Sequence, residues 1–226
     1  MFHDFLDLVF PRICHACDTA LHSKEEILCT SCLHELPLAQ HHLDNSNEIE
    51  KIFYGRIPVE NATSLLLFEK KGLAQKLIHN LKYRGYEEIG TYFGQWLGNE
   101  IKEIPKWQQI SAVVPVPIHK QKFRKRGYNQ VTRFGMEIAA ALEVPYIDDV
   151  LLKITATQTQ TVKKRLARWG SFDETMVISN SEKLKDRHVL LVDDLVTTGA
   201  TLEVCAQKLL KIEGVKISIA TIAVTH

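Results

Sequence analysis

The stretch VLLVDDLVTTGAT, residues 189–201, carries an aliphatic run into two adjacent carboxylates and then into hydroxyls around a glycine. Val189 to Val192 read as a strand covered on both faces, because the run is continuously apolar instead of alternating. Asp193 and Asp194 then fall at its carboxyl end, the edge at which an open parallel sheet binds ligands. Thr197, Thr198, Gly199, Ala200 and Thr201 form a short loop opening a helix. Hydroxyls and backbone N–H groups there would clasp a phosphate, and Gly199 lacks the side chain that would block its approach. A phosphate against two aspartates would be repelled, so the acids must face sugar hydroxyls or a Mg²⁺ bridging to further phosphates. Hydroxyl-binding acids beside a phosphate-binding helix end describe a ribose 5-phosphate.

A second chemistry lies near the N-terminus. Four of the five cysteines, Cys14, Cys17, Cys29 and Cys32, form two C-x-x-C pairs separated by eleven residues. Two such knuckles deliver four thiolates to one tetrahedral Zn²⁺. A structural zinc is expected, since four protein sulfurs leave no open position for water and a module of roughly 40 residues buries too little core to fold unaided. Cys205 lies on the apolar stripe Leu202, Cys205, Leu209, Ile212 and is expected in the core.

Two basic segments complete the candidates. HKQKFRKRGYNQ, residues 119–130, places Lys120, Lys122, Arg124, Lys125 and Arg126 in a loop without one acid, interleaved with Phe123 and Tyr128. It leaves the strand SAVVPVP at the sheet edge where Asp193 lies, so it serves as a pyrophosphate clamp or as a contact for a polyanion. Lys163, Lys164, Arg165 and Arg168 with Trp169 form the second, read as a flap over the site or a nucleic-acid groove.

The elements that position these residues alternate. Strands ATSLLLFE, SAVVPVP, VLLV and KISIATIAV are separated by the helical patterns GLAQKLIHNLKY, IGTYFGQWLGNEI, QVTRFGMEIAAAL and residues 201–211. Alternation of strand and helix predicts an α/β fold on a mostly parallel sheet. After Leu36 and Pro37 the sequence LAQHHLDNSNEIEK reads as a polar linker with His41 and His42 solvated. The expected division is therefore residues 1–45, an N-terminal helix and zinc module, and residues 46–226, the sheet domain. The net charge of +1 over 226 residues gives no global pull toward nucleic acid or membrane. No apolar run reaches the roughly 18 residues of a membrane span. The leading MFHDFLDLVFP carries two acids and no basic region, and reads as an amphipathic helix with Phe2, Phe5, Leu6 and Val9 on one face, not as a secretory signal. A reducing cytoplasm, where thiolates persist, is the expected location.

VLLVDDLVTTGAT resembles the PRPP-binding motif of the type I phosphoribosyltransferases. With the cysteine knuckles, NLKYRGY (residues 80–86), VVPVPIHKQKFRKRGYNQ (113–130) and QTVKKRLARW (160–169), it resembles the ComF family, in which an N-terminal zinc module precedes a phosphoribosyltransferase domain. The resemblance implies that Asp193 and Asp194 contact the ribose hydroxyls of PRPP, that residues 197–201 hold its 5-phosphate, and that Lys82 and Arg84 meet pyrophosphate, with Mg²⁺ as cofactor. It also implies a role in DNA uptake beside single-stranded DNA and other uptake proteins. No stretch identifies the acceptor. Three readings follow: a transferase with an unidentified acceptor, a non-catalytic PRPP or nucleotide sensor, and a single-stranded nucleic-acid-binding protein on the same fold.

Overall fold

The computed structural model describes residues 11–44, 48–154 and 176–225. The N-terminal helix expected around Phe2 to Val9 lies outside these residues, as does the basic segment Lys163, Lys164, Arg165, Arg168 and Trp169.

The elements are α1 (Thr30–His34), α2 (Glu48–Phe53), β1 (Ala62–Phe68), α3 (Leu73–Tyr83), α4 (Glu88–Ile101), β2 (Ala112–Pro115), α5 (Lys120–Arg126), α6 (Thr132–Ala141), β3 (Leu151–Lys153), β4 (Met176–Ile178), β5 (His188–Val196), α7 (Ala200–Leu209) and β6 (Lys216–Thr225). Four strands form a sheet in the order β1-β6-β5-β2, and every pairing is parallel. The expected α/β class with a parallel sheet is what the chain adopts. Helices cover both faces, which explains the unbroken apolar runs of the strands. On one face Leu190 and Val192 of β5 share a core with Leu77, Phe93, Phe134 and Ile138 of α3, α4 and α6. On the other, Val189 and Leu191 pack with Phe53, Leu202 and Leu209 of α2 and α7 and with the small antiparallel ribbon β3–β4. Cys205 belongs to this second core and is fully buried. Helices α4 and α6 approach so closely that a Cβ on Gly94 would lie 2.6 Å from the Phe134 carbonyl oxygen.

Three expectations about the elements are corrected. First, β5 does not stop at Val192 but runs to Val196, so Asp193 and Asp194 lie within the strand. The ladder to β6 continues through Asp193↔Thr221 and Val196↔Val224, whereas β2 pairs with residues 189–192 only. Pro115 and Pro117 have no N–H to extend β2. The acids thus stand beyond the end of β2, paired on one side, and the carboxyl edge of the sheet is still where they lie. Second, HKQKFRKRGYNQ is not a loop: residues 120–126 form α5, capped by the His119 ring, whose Nδ1 accepts from the Gln121 N–H at 3.2 Å. Third, the segment after Pro37 is not a solvated linker. The Ala39 N–H donates to the Leu65 carbonyl at 2.9 Å and the Leu67 N–H to that of Pro37 at 2.7 Å, covering the outer edge of β1. His42 is buried, with Nε2 3.0 Å from Glu100, and His41 is buried beside it.

The cysteine module is packed onto the sheet domain. Cys14, Ala16, Ile27, Leu28 and Leu36 join the core formed by α3 and α4. The Asn80 amide of α3 donates to the His15 carbonyl at 2.7 Å, the His15 ring stacks on Tyr86 at 4.3 Å, and Lys76 lies 2.9 Å from Asp18. Glu25 closes the loop between the knuckles by accepting from the His22 and Thr30 N–H groups, each at 2.7 Å; these bonds, that of His22 first, hold its carboxyl down at about 2.

Candidate functional site at the carboxyl edge of the sheet

The site is built where β5 outruns β2. The apolar face of α3, with Leu77, Ile78 and Leu81 buried, fixes that helix against the sheet, and its last turn carries Lys82 to the end of β5. The Lys82 ammonium stands 2.9 Å from Asp194 Oδ2, in an ion contact without the alignment of a hydrogen bond. Both aspartates are buried. Asp193 Oδ1 accepts from the Asp194 N–H at 2.8 Å, yet burial first, and the neighbouring Asp194 charge second, push the Asp193 carboxyl up to about 8. A carboxyl that keeps its proton near neutrality while its neighbour faces a lysine gives the doublet two unlike members.

Residues 197–201 form a turn into α7. Thr197, Thr198, Ala200 and Thr201 are exposed, and the Thr198 hydroxyl accepts from the Ala200 N–H at 3.5 Å where the turn enters the helix. Gly199 is buried and left-handed at φ +73°, and a Cβ there would meet Ile52 Cγ2 at 2.8 Å and Phe53 Cε1 at 2.9 Å. The glycine is therefore required by the backbone and by the packing of α2 against this turn.

Arg56, which no motif singles out, holds this turn in place. Its guanidinium donates to the carbonyls of Thr198 at 2.7 Å and of Ile52 at 3.0 Å, and pairs with Glu203 on the first turn of α7. Arg56 and Thr198 are 142 residues apart in the chain, so only the fold brings them together.

The five cations of residues 120–126 separate by helical period. Lys122, Lys125 and Arg126 line a cleft of about 260 Å³ together with Lys82, Tyr83 and Tyr128 from the far side. No acid lines it. Arg126 lies 5.6 Å over the Tyr83 ring, and the Tyr128 hydroxyl donates to the Leu81 carbonyl, tying this cleft to the end of α3. Lys120 and Arg124 line a different cavity with Phe123, on the opposite side of α5. Arg84 does not join Lys82: it is half-exposed and 3.8 Å from Asp18 of the first knuckle.

The four cysteine sulfurs all lie within 4.8 Å of one another, and those of Cys17 and Cys29 are 3.6 Å apart. A tetrahedron with Zn–S near 2.3 Å has an edge of about 3.8 Å, so the set fits zinc. Backbone N–H groups of Ala16 and Cys29 point at Cys14 Sγ at 3.4 and 3.3 Å, as donors do toward a thiolate. No disulfide links these cysteines. The arrangement supports a structural zinc with four protein ligands.

Comparison with known proteins agrees with both halves. The Double zinc ribbon domain family matches residues 5–43, and the Phosphoribosyl transferase domain family matches residues 132–226. Competence protein F of Haemophilus influenzae is 25% identical over 140 residues, 60% of this chain and 61% of that protein. DNA utilization protein YhgH of Escherichia coli is 25% identical over 202 residues, 88% of this chain and 84% of its own length. Competence protein ComFC of Streptococcus pneumoniae is 31% identical over 135 residues, 60% of this chain and 56% of that one. The match thus spans about three fifths of two of these relatives. With a double zinc ribbon ahead of a phosphoribosyl transferase domain, the chain is a homologue of competence protein F, ComFC and YhgH.

Proposed function

We propose that this chain binds PRPP with Mg²⁺ at the carboxyl edge of its sheet and transfers the phosphoribosyl group to an acceptor, in the competence or DNA utilization for which its relatives are named. The observation that carries the reading is the 2.9 Å approach of Lys82 to Asp194, which joins a cation from the end of α3 to the acidic doublet beside an exposed threonine turn. In this reading Asp193 and Asp194 face the ribose hydroxyls, and Thr197, Thr198, Gly199, Ala200 and Thr201 receive the 5-phosphate. Lys82, with Lys122, Lys125 and Arg126 of the acid-free cleft, receives pyrophosphate.

Transfer breaks the bond between the anomeric carbon and the pyrophosphate oxygen while positive charge builds on the sugar. Mg²⁺, when bound with PRPP, would neutralise the departing pyrophosphate. Oxygen ligands suit it, and the Asp194 carboxylate, whose Oδ2 is buried without a hydrogen bond, is a fitting donor. The protein's own contribution is position: the sugar is held between acids on β5 and a turn that Arg56 keeps rigid. Free cysteines are consistent with action in a reducing cytoplasm. No helix among the described residues is long and apolar enough to cross a membrane.

Calorimetric titration of PRPP tests this. Wild-type protein should give Mg²⁺-dependent heat, and Asp194→Asn should weaken binding by about tenfold or more, equivalent to at least ~1.4 kcal/mol. Absence of Mg²⁺-dependent heat in the wild type would remove PRPP from the reading.

A second reading, binding of single-stranded nucleic acid, is favoured by α5, whose cations lie between the exposed aromatics Tyr83 and Phe123. It predicts DNA affinity that falls steeply with salt, and a shallower slope when Lys122 and Lys125 are changed to glutamate.

A further inference from the structure

The first cysteine knuckle holds one segment of the sheet domain from both ends. That segment, residues 80–88, runs from the last turn of α3 to the start of α4. Ahead of Lys82, the buried Asn80 amide donates to the His15 carbonyl at 2.7 Å, and Lys76 pairs with Asp18 at 2.9 Å. Behind it, the Tyr86 ring stacks on the His15 ring with centroids 4.3 Å apart and planes inclined by 20°, and Glu88 Oε1 lies 2.9 Å from His15 Nε2. Arg84, between the two, faces Asp18 at 3.8 Å. All these contacts come from His15 and Asp18, within the short turn of residues 14–18. The Asp18 N–H closes that turn onto the Cys14 carbonyl at 2.9 Å, and Cys14 and Cys17 within it are two of the four candidate zinc ligands.

The braced segment carries a cation of the candidate site. Lys82, Tyr83 and Gly85 border the acid-free cleft, and Lys82 reaches Asp194. The last turn of a helix is where backbone hydrogen bonds run out and the chain frays. A lysine on a flexible four-carbon stem keeps a fixed distance to β5 only if that turn is itself fixed. Leu77, Ile78 and Leu81 fix α3 on its sheet side, and the knuckle holds its end through Asn80. Metal bound to the four sulfurs would keep the knuckle in one shape, and its loss would remove what draws Cys14 and Cys17 to the other pair.

We infer that the first knuckle is a positioning element of the candidate site, with Asn80 and His15 the positioning residues that link zinc occupancy to Lys82. A metal-loaded knuckle holds the Lys82 ammonium at the aspartates, and an anion bound there holds the knuckle's metal in return. The inference rests on the PRPP reading for the identity of the anion, and not for the bracing itself. Reciprocity follows from linkage: if zinc raises anion affinity by some factor, the anion raises zinc affinity by the same factor. A zinc that served only the fold of its own module would show no such dependence in the folded protein.

The test uses the full zinc-loaded chain as wild type, Asn80→Leu and His15→Ala, with Mg²⁺–PRPP and Mg²⁺–pyrophosphate as probes. Neither variant touches a cysteine or an aspartate of the doublet, and metal content and melting curves confirm that each protein loads and folds. Anion affinity, read by calorimetry, should fall about fivefold or more in Asn80→Leu and severalfold in His15→Ala. Amide exchange at residues 82–85 should quicken in both. Zinc affinity, read by equilibrium competition with a chromogenic chelator, should rise about fivefold or more when the wild type is saturated with anion. In the variants that rise should shrink to within about twofold. If one variant does not fold, the other and the wild-type zinc competition decide. Wild-type zinc affinity that ignores a bound anion, or a folded variant with anion affinity and exchange equal to wild type, overturns the inference. If neither anion binds the wild type, the transferase reading falls and the bracing is judged by exchange: faster exchange at residues 82–85 in the variants sustains it, and equal exchange overturns it.

Discussion

Asp193→Asn should make the protein more stable while impairing its site, and the size of the effect follows from burial. In the unfolded chain an aspartate with its ordinary value of 3.8 is ionised at neutral pH, whereas in the folded protein Asp193 holds its proton to about pH 8. The folded state therefore binds the extra proton, so stability is fully present below about pH 4, declines as pH rises, and levels off above about pH 8. Each pH unit in that window costs about 1.4 kcal/mol, so at pH 7 the cost is on the order of 4 kcal/mol. Asparagine has the shape of the protonated acid and carries no such cost. The stability gap between Asp193→Asn and wild type should widen by about 2 to 3 kcal/mol between pH 5 and pH 7. Urea unfolding at half-unit pH steps measures it directly. A gap that is flat across this range would refute the claim that Asp193 is protonated in the folded protein. The same logic applies to ligand: binding that needs the carboxylate must expel its proton, so Mg²⁺–PRPP affinity should rise from pH 6 to pH 8 in the wild type and be weak and pH-independent in the variant.

Replacing Lys82 with Met leaves the buried Asp194 carboxylate without its cation and should cost about 2 to 4 kcal/mol; chemical unfolding checks this, and adding Asp194→Asn should restore stability without restoring PRPP binding. Gly199→Ala forces a Cβ into a left-handed residue and against Ile52 and Phe53, and should lower stability by about 1 to 3 kcal/mol, with a reduced melting temperature even before ligand is added. Metal analysis should find about one zinc per chain. Because His15 and Asp18 of the first knuckle contact Asn80, Lys76 and Arg84, chelation should lower the melting temperature and loosen α3, seen as faster amide exchange at residues 80–84.

Much of this protein was readable from local pattern. Four cysteines in two knuckles determine a zinc site because ligand number and spacing are set within a few residues of chain. The apolar runs of the strands determine a parallel sheet because burial on both faces removes alternation. The doublet Asp193 and Asp194 before a threonine-rich turn was legible because strand, acids and turn are contiguous. Other features depend on contacts distant in sequence, which no local pattern carries. How far β5 extends was decided by its neighbours: β6 continues the ladder past residue 192, and the prolines that end β2 cannot. His41 and His42 look like solvated linker residues, but the pairing of Pro37 to Ala39 with β1 draws them under cover. The basic run at 120–126 is uniform as a string; a helical period of 3.6 sends Lys122, Lys125 and Arg126 to one cleft and Lys120 and Arg124 to another. Arg56 has no signal at all, because its role consists of three partners that only folding assembles. Side-chain chemistry and short spacings are properties of the chain, whereas which groups share a cavity, which acid keeps its proton and which cation answers it are set by burial and proximity in the folded state.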